Sequence, residues 1–475
     1  MGEIVQIPKI NSMIDKRKKI VLSERNIEPE VSMAFRGPIV WAALLAFPLL
    51  AAGQDQALIR RQLEEANVSF SSAGFIEQIR RGEAEAVDLF LQAGMNPNVQ
   101  DKSGRTALIW AAGNGHVAVV ERLLDSGADL CGTGSRTQSA LAWAASNGRT
   151  DAARVLLKAG ARACEKEKRG MTSVTAAAMN GYADTLRMLL ERIDEVLYEE
   201  KAVAFASAAE WGHLEVLRLL LDAGVDAEAR TPSGSTPLGA AALRGRGAAV
   251  RFLLDHGANP NASVDLHGTV LAAAAKGGHL DVVRLLLERG ARADGAALRA
   301  AAQAGDADIV SLLLDAGAPV DARVFGGETP LIEATMARKI NVVDLLIERG
   351  ADVNARTLTE ESALFIAASG GDPEAVALLL EGGADVHARG KEGQTPLIAA
   401  ATHGHMEIVS MLIARGAQID AADDMGKTAL VHARERGHRD IVHLLMSAER
   451  SPAPEGLNLE RIKNPSIQEF EIRND

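Results

Sequence analysis

The chain has 475 residues, 47% of them apolar but only 3% aromatic, and a formal net charge of −12. It is long enough to bury a large core or several, and that core must be built from Ala, Leu and Val. The acidic balance excludes a general affinity for nucleic acid or anionic lipid, because Lys and Arg would have to dominate some surface to release phosphate counterions.

The first notable segment is MAFRGPIVWAALLAFPLLAAGQ, residues 33–54, the most apolar stretch of the chain. From Gly37 to Gly53 it offers 17 uncharged residues interrupted by Pro48, the lower limit for a membrane span. Read from Met33 it has a basic start at Arg36, an apolar centre from Ile39 to Leu50, and small residues Ala51 and Gly53 where a signal peptidase reads. It is predicted to be a secretory signal peptide, residues 33–53, cleaved before Gln54. Residues 1–32, with their KRKK run, then read as an upstream extension outside the native product. The alternative is an uncleaved signal that anchors the chain in a membrane. Residues 54–67, QDQALIRRQLEEAN, predict a helix that caps the first of the units beginning at residue 68.

From residue 68 the chain repeats itself with a period of 33. TPLGAAALRGRGAAVRFLLDHGANPNA from Thr236, TPLIEATMARKINVVDLLIERGADVNA from Thr329 and TPLIAAATHGHMEIVSMLIARGAQIDA from Thr395 are versions of one pattern. One glycine recurs between two helical stretches, as at Gly115, Gly245 and Gly404, and fails once, at Arg338. A second closes the next helix, as at Gly127, Gly257 and Gly416. Thr-Pro opens the short Ala-rich helix, with Thr as cap and Pro at the first helical position. In HMEIVSMLIARG the apolar residues from Met406 to Ile413 form a broad stripe that predicts a helix packed between neighbours. Each unit is helix, turn, helix and projecting loop.

These motifs resemble the ankyrin repeat, with its TPLH, GH, VV-x-x-LL and GAD-x-N signatures, over residues 68–450. Twelve units are predicted, starting near Val68, Asp101, Gly134, Glu167, Tyr198, Thr231, Val264, Ala291, Val324, Thr357, Gly390 and Asp423. The resemblance implies an all-α solenoid of helix-turn-helix units with hairpin-like loops, and recognition by the inner helices and loop tips. Twelve units at roughly 8–10 Å each imply a rod on the order of 100 Å long. The sequence departs from the family where the TPLH histidine is replaced by Ile109, Gly239, Ile332, Ile398 and Val431. Two joints are irregular. Ile193 replaces a closing glycine in a shortened unit, and only ARADGAA separates Gly290 from Leu298. Either these joints divide the stack into blocks or a continuous stack carries two irregular loops.

Chemistry is hard to find. His116, His213, His279, His405 and His438 each come directly after a turn glycine. Equivalent positions roughly 10 Å apart cannot converge within about 2 Å of one metal ion, so these read as structural residues. MGKT, residues 425–428, lacks the first glycine of a phosphate loop and reads as a loop tip. No nucleophile, zinc or paired-acid motif has supporting context. No catalysis, cofactor or metal is predicted. Cys131 and Cys164 hold the same place in consecutive units, too far apart for a disulfide, and read as free thiols.

Binding residues are clearer. Arg230, Arg323, Arg356 and Arg389 end their repeats beside the loop tip, the last three in successive units. Such a ladder suits an acidic, extended partner, with local pairing to Glu328, Glu360, Glu361 and Glu392 as the competing reading. Trp110 and Trp143 read as core filler, and Trp211, beside a turn, as an exposed anchor. Residues 451–475 lose the pattern and read as a mobile tail. The whole predicts a monomeric, exported, non-catalytic scaffold or regulator that binds a protein in a bacterial envelope, periplasmic or secreted. The alternative is a secreted effector that engages host proteins. No nucleic acid and, after signal cleavage, no membrane insertion is expected.

Overall fold

The computed structural model describes residues 56–65, 67–130, 139–162, 171–192, 198–264, 268–323 and 327–450. The signal segment, Cys131, Cys164 and the tail lie outside the described residues. Inner helices start where a side chain accepts a first-turn amide. Thr106 Oγ1 accepts from Ile109 N–H at 3.3 Å, Thr236 from Gly239 at 3.2 Å and Thr395 from Ile398 at 3.3 Å. Each such cap is worth about 1 kcal/mol. Pro237, Pro330 and Pro396 occupy the first helical turn, where no backbone donor is lost to the ladder.

The inner helix then runs to a tight turn. In Pro237–Leu243 it ends two residues before Gly245, whose φ of +66° is a left-handed state that costs other residues about 1–2 kcal/mol. Where the glycine pattern fails, Arg338 adopts the same state with φ +57°. Its guanidinium donates to the carbonyls of Gly370 and Gly371 and pairs with Asp372 at 3.4 Å, contacts a glycine could not make. The outer helix comes next. Met406–Ala414 buries Ile408, Val409 and Leu412, each worth roughly 1.5–3 kcal/mol.

Among the described residues there are 25 α-helices. Twenty-four of them form the two helices of each of twelve repeats, and one, Gln56–Glu65, precedes them. The chain divides into two compact bodies at Thr137 and Gln138. The N-terminal body holds repeats 1 and 2. There Gln56–Glu65 packs on the outer helix Ala84–Gln92, buries Leu63 completely and anchors Arg60 to the carbonyl of Ala93. Phe90 stacks on Phe70 and lies tilted against Phe75.

The C-terminal body holds repeats 3–12. Inner helices pack on inner helices and outer on outer along it, and this packing continues across both irregular joints. Ser173–Met179 packs on Tyr198–Trp211, and Val270–Lys276 on Gly295–Ala304. Neither joint therefore separates blocks, and of the two alternatives the continuous stack with two irregular loops is the one that fits. The irregular sequences change local elements instead. The inner helix of repeat 5, Tyr198–Trp211, grows to 14 residues and occupies positions that are loop in other repeats. In repeat 8 Asp294 caps the helix Gly295–Ala304 directly, and no hairpin projects. Four described loops are hairpin-like. Ser263–Val264 pairs antiparallel with Gly268–Thr269, and single bridges join Gln100 to Thr106, Arg356 to Ser362 and Ala422 to Thr428.

Replacement of the TPLH histidine has a local explanation in repeat 6. A Cβ on Gly239 would lie 2.6 Å from a methyl of Val264, so the next loop's side chain fills the space. At Ile109, Ile332 and Ile398 the side chain is fully buried and takes the place of a polar network with apolar packing.

Candidate protein-binding face

In several of the described loops one residue holds the others. Asp101 Oδ1 accepts the Ser103 amide (2.8 Å), the Ser103 hydroxyl (2.6 Å) and the Arg105 amide (3.0 Å), while Oδ2 accepts the Trp110 indole N–H (3.0 Å). Burial pushes the Asp101 carboxyl up, but the donors on Ser103, Arg105 and Trp110 outweigh it and hold it at about 2. In repeat 12 Asp423 repeats the arrangement with Met425, Lys427 and, in place of the indole, His432 Nε2 at 2.8 Å. Burial again raises this carboxyl and the His432, Lys427 and Met425 donors lower it further. MGKT is indeed the tip of this loop, and Lys427 Nζ pairs with Glu435 at 2.8 Å. Thr357 Oγ1 serves the same purpose for Thr359 and Glu361.

The four arginines share one geometry. Each sends Nη1 forward to the carbonyl of the equivalent residue 33 positions on: Arg230 to Ser263 (3.1 Å), Arg323 to Arg356 (2.7 Å), Arg356 to Arg389 (3.3 Å) and Arg389 to Ala422 (3.0 Å). Arg230, Arg323 and Arg389 also bond within their own loop, to Gly234, Gly327 and Gly393. Of the four glutamates weighed as competitors, Glu360 pairs with Arg356 at 3.4 Å, and Glu361 accepts from the Thr359 hydroxyl instead. The ladder therefore ties neighbouring loops through backbone carbonyls, which leaves most of its positive charge without a carboxylate partner among the described residues.

Two apolar side chains stand on loop tips, Leu358 and Met425, each 77% exposed. The repeat pattern alone does not single them out. Their signal is a large apolar residue inside a polar loop, RTLTEE and DDMGK. Trp211 is 48% exposed at the turn end of its inner helix, with the Arg246 guanidinium 5.9 Å from its ring. It lies at the opposite end of the inner helices from the ladder, so the structure does not bring the two together. Trp110 and Trp143 are half-buried and not core filler, which corrects that reading. Trp110 has Arg80 and Arg105 over its ring and the Asp101 bond on its nitrogen, all polar partners a core position would not supply.

At the turn edge the five histidines reach backward. Nε2 of His116, His213, His279, His405 and His438 donates to the carbonyls of Arg80, Met179, Leu243, Ser369 and Thr402, at 3.0–3.1 Å. Each ring lies over the turn glycine of the preceding repeat. Asp306 and Asp372, at the same position, cap their own outer helices.

Six matches to the family model for ankyrin repeats (3 copies), some of them overlapping, cover residues 57–133, 75–167, 129–200, 205–296, 292–357 and 364–453. The chain belongs to the ankyrin repeat family. Ankyrin repeats generally mediate protein–protein interaction and are typically non-catalytic. No curated protein matches this ankyrin chain. Among its described residues no helix is long and apolar enough to cross a membrane.

Proposed function

We propose that this ankyrin protein is a non-catalytic scaffold or regulator, exported to a bacterial envelope, that captures a protein with an acidic surface along its loop edge. The observation that carries the proposal is the exposure of Leu358 and Met425 on loops already tied together by Arg323, Arg356 and Arg389. Exposed apolar side chains on pre-ordered backbone supply contact area at little entropic cost, and the surrounding guanidiniums favour carboxylates. Export is supported by the apolar segment 33–53 and its small-residue end. Trp211 offers a separate contact near the turns.

The test is capture by the mature chain from a periplasmic extract and from culture supernatant, compared with the double variant Leu358→Asp, Met425→Asp. Both side chains are exposed, so thermal stability should stay within a degree or two while capture falls at least tenfold. Replacing Arg323, Arg356 and Arg389 together by Ala should weaken it as well. Undiminished capture by the Asp variant would move the interface elsewhere, and a partner found only in the supernatant favours the effector reading.

A further inference from the structure

Repeats 1 and 2, in the N-terminal body, hold two arginines against one indole. Trp110 is half-buried on the inner helix Ala107–Asn114, and the neighbouring inner helix Ser72–Arg81 carries Arg80. Cζ of Arg80 lies 4.6 Å from the centre of the indole ring and Cζ of Arg105 5.1 Å. Each member is fixed from behind. Asp101 Oδ2 accepts the indole N–H at 3.0 Å, and Asp101 Oδ1 accepts the Arg105 amide at 3.0 Å. The Arg80 carbonyl accepts from His116 Nε2 at 3.1 Å and from Asn114 Nδ2 at 3.3 Å.

Stacking occupies the face of a guanidinium and leaves the N–H groups on its edge for acceptors. Glu77, three residues before Arg80, is paired with Arg81 at 2.9 Å, and Arg80 makes no ion pair among the described residues. Asp101 has little left to offer, because four donors already surround its oxygens. Lys102, next in the chain, is exposed. Three cations thus stand around one carboxylate that is already in use, and the charge that complements them is negative. The indole also sets a spacing. The two distances to its centre keep the guanidinium carbons within about 10 Å of each other, and alternate side chains of an extended peptide stand roughly 7 Å apart on one side.

We propose that Arg80 and Arg105 form a carboxylate clamp on Trp110, which takes two acidic side chains at positions i and i+2 of an extended segment of the partner. This rests on the reading of an acidic partner given above, but it assigns that segment a place on the inner helices of the N-terminal body, through residues outside the loop-tip row. Because the guanidiniums are already held against the ring, docking immobilises little that is still free. Edge-on, bidentate pairing selects carboxylates over neutral amides.

Fluorine NMR on the full chain labelled with 5-fluorotryptophan tests the clamp, since the chain has four tryptophans and Trp→Phe variants assign each signal. The probe is a capped five-residue peptide with Glu at its second and fourth positions, and its match has Gln at both. The Glu peptide should shift and saturate the Trp110 signal, and the Gln peptide should leave it in place. Arg80→Gln should weaken the Glu peptide at least tenfold, whereas Arg61→Gln, which removes an exposed charge of the same sign elsewhere in this body, should weaken it less than twofold. A Trp110 signal that the Glu peptide does not move overturns the clamp, and so does equal weakening by the two variants. Inorganic phosphate that binds as tightly as the peptide also overturns it, by showing a simple anion site. The variant Leu358→Asp, Met425→Asp should respond at Trp110 as the wild type does whatever it captures, so failure of the clamp and failure of the loop-edge interface are read separately.

Discussion

At the turn edge, side chains reach back by one repeat. His279 donates to the carbonyl of Leu243, its ring lies on Gly245, and the same contact recurs at four other turns. At the loop edge, side chains reach forward by one repeat, as Arg356 does to the carbonyl of Arg389. Both devices join neighbours through backbone acceptors, yet they differ in what is left over. The histidine ring is half-buried against a glycine. The arginine keeps further donors and its charge in solvent. One edge holds the stack together, and the other holds the stack together while remaining available to a partner.

The sharpest way to break this contrast is Gly245→Ala. A Cβ there would lie 2.5 Å from His279 Nδ1 and the backbone must stay at positive φ, so urea unfolding should show a loss of about 3 kcal/mol. A loss under about 1 kcal/mol would mean that the ring contact is loose.

A paired measurement sharpens the comparison. His279→Ala should cost about 1 kcal/mol, the value of a partly buried hydrogen bond. Arg356→Ala should cost half as much or less, because its acceptor, the Arg389 carbonyl, can turn to water. Equal losses would place both edges in the same structural role.

A third comparison concerns acid. The Asp101 carboxyl stands at about 2 against an ordinary value of 3.8. A lowered folded value stabilises the fold above the ordinary value, and that contribution is lost as pH falls from about 3.8 through about 2. Asp101→Asn should therefore be less stable than wild type at pH 7 and converge with it near pH 2. A constant gap across a pH titration of thermal stability would show that the loop bonds, and not the charge, matter.

Much of this was legible in the sequence because glycine, proline and threonine answer to backbone geometry alone. The turn glycines, Thr236, Thr329 and Thr395 mark where helices begin or end, and each of the twelve units expected has its pair of helices. What escaped depends on direction. Spacing puts Arg323, Arg356 and Arg389 in one row, but it does not say that each guanidinium turns toward the next loop's carbonyl. Trp110 looked like core by alignment with an Ala-rich helix, and only the position of Asp101 nine residues earlier draws its indole to a polar site. At the joints near residues 193 and 291 the sequence left two alternatives open, because a short loop alone does not say whether the helices on either side stay in register; helix packing runs across both.

The blunt start of repeat 8 has a further consequence. With Asp294 capping its helix at once, the row of loop tips loses one finger between repeat 7, at Ser263–Val264, and Arg323. An extended ligand lying along that row must span a gap of roughly two repeat spacings, about 20 Å, without support. Two short linear motifs joined by a tether of some six or more residues would fit the notched rail better than one uninterrupted strand, and would gain from simultaneous attachment at both sides of the notch.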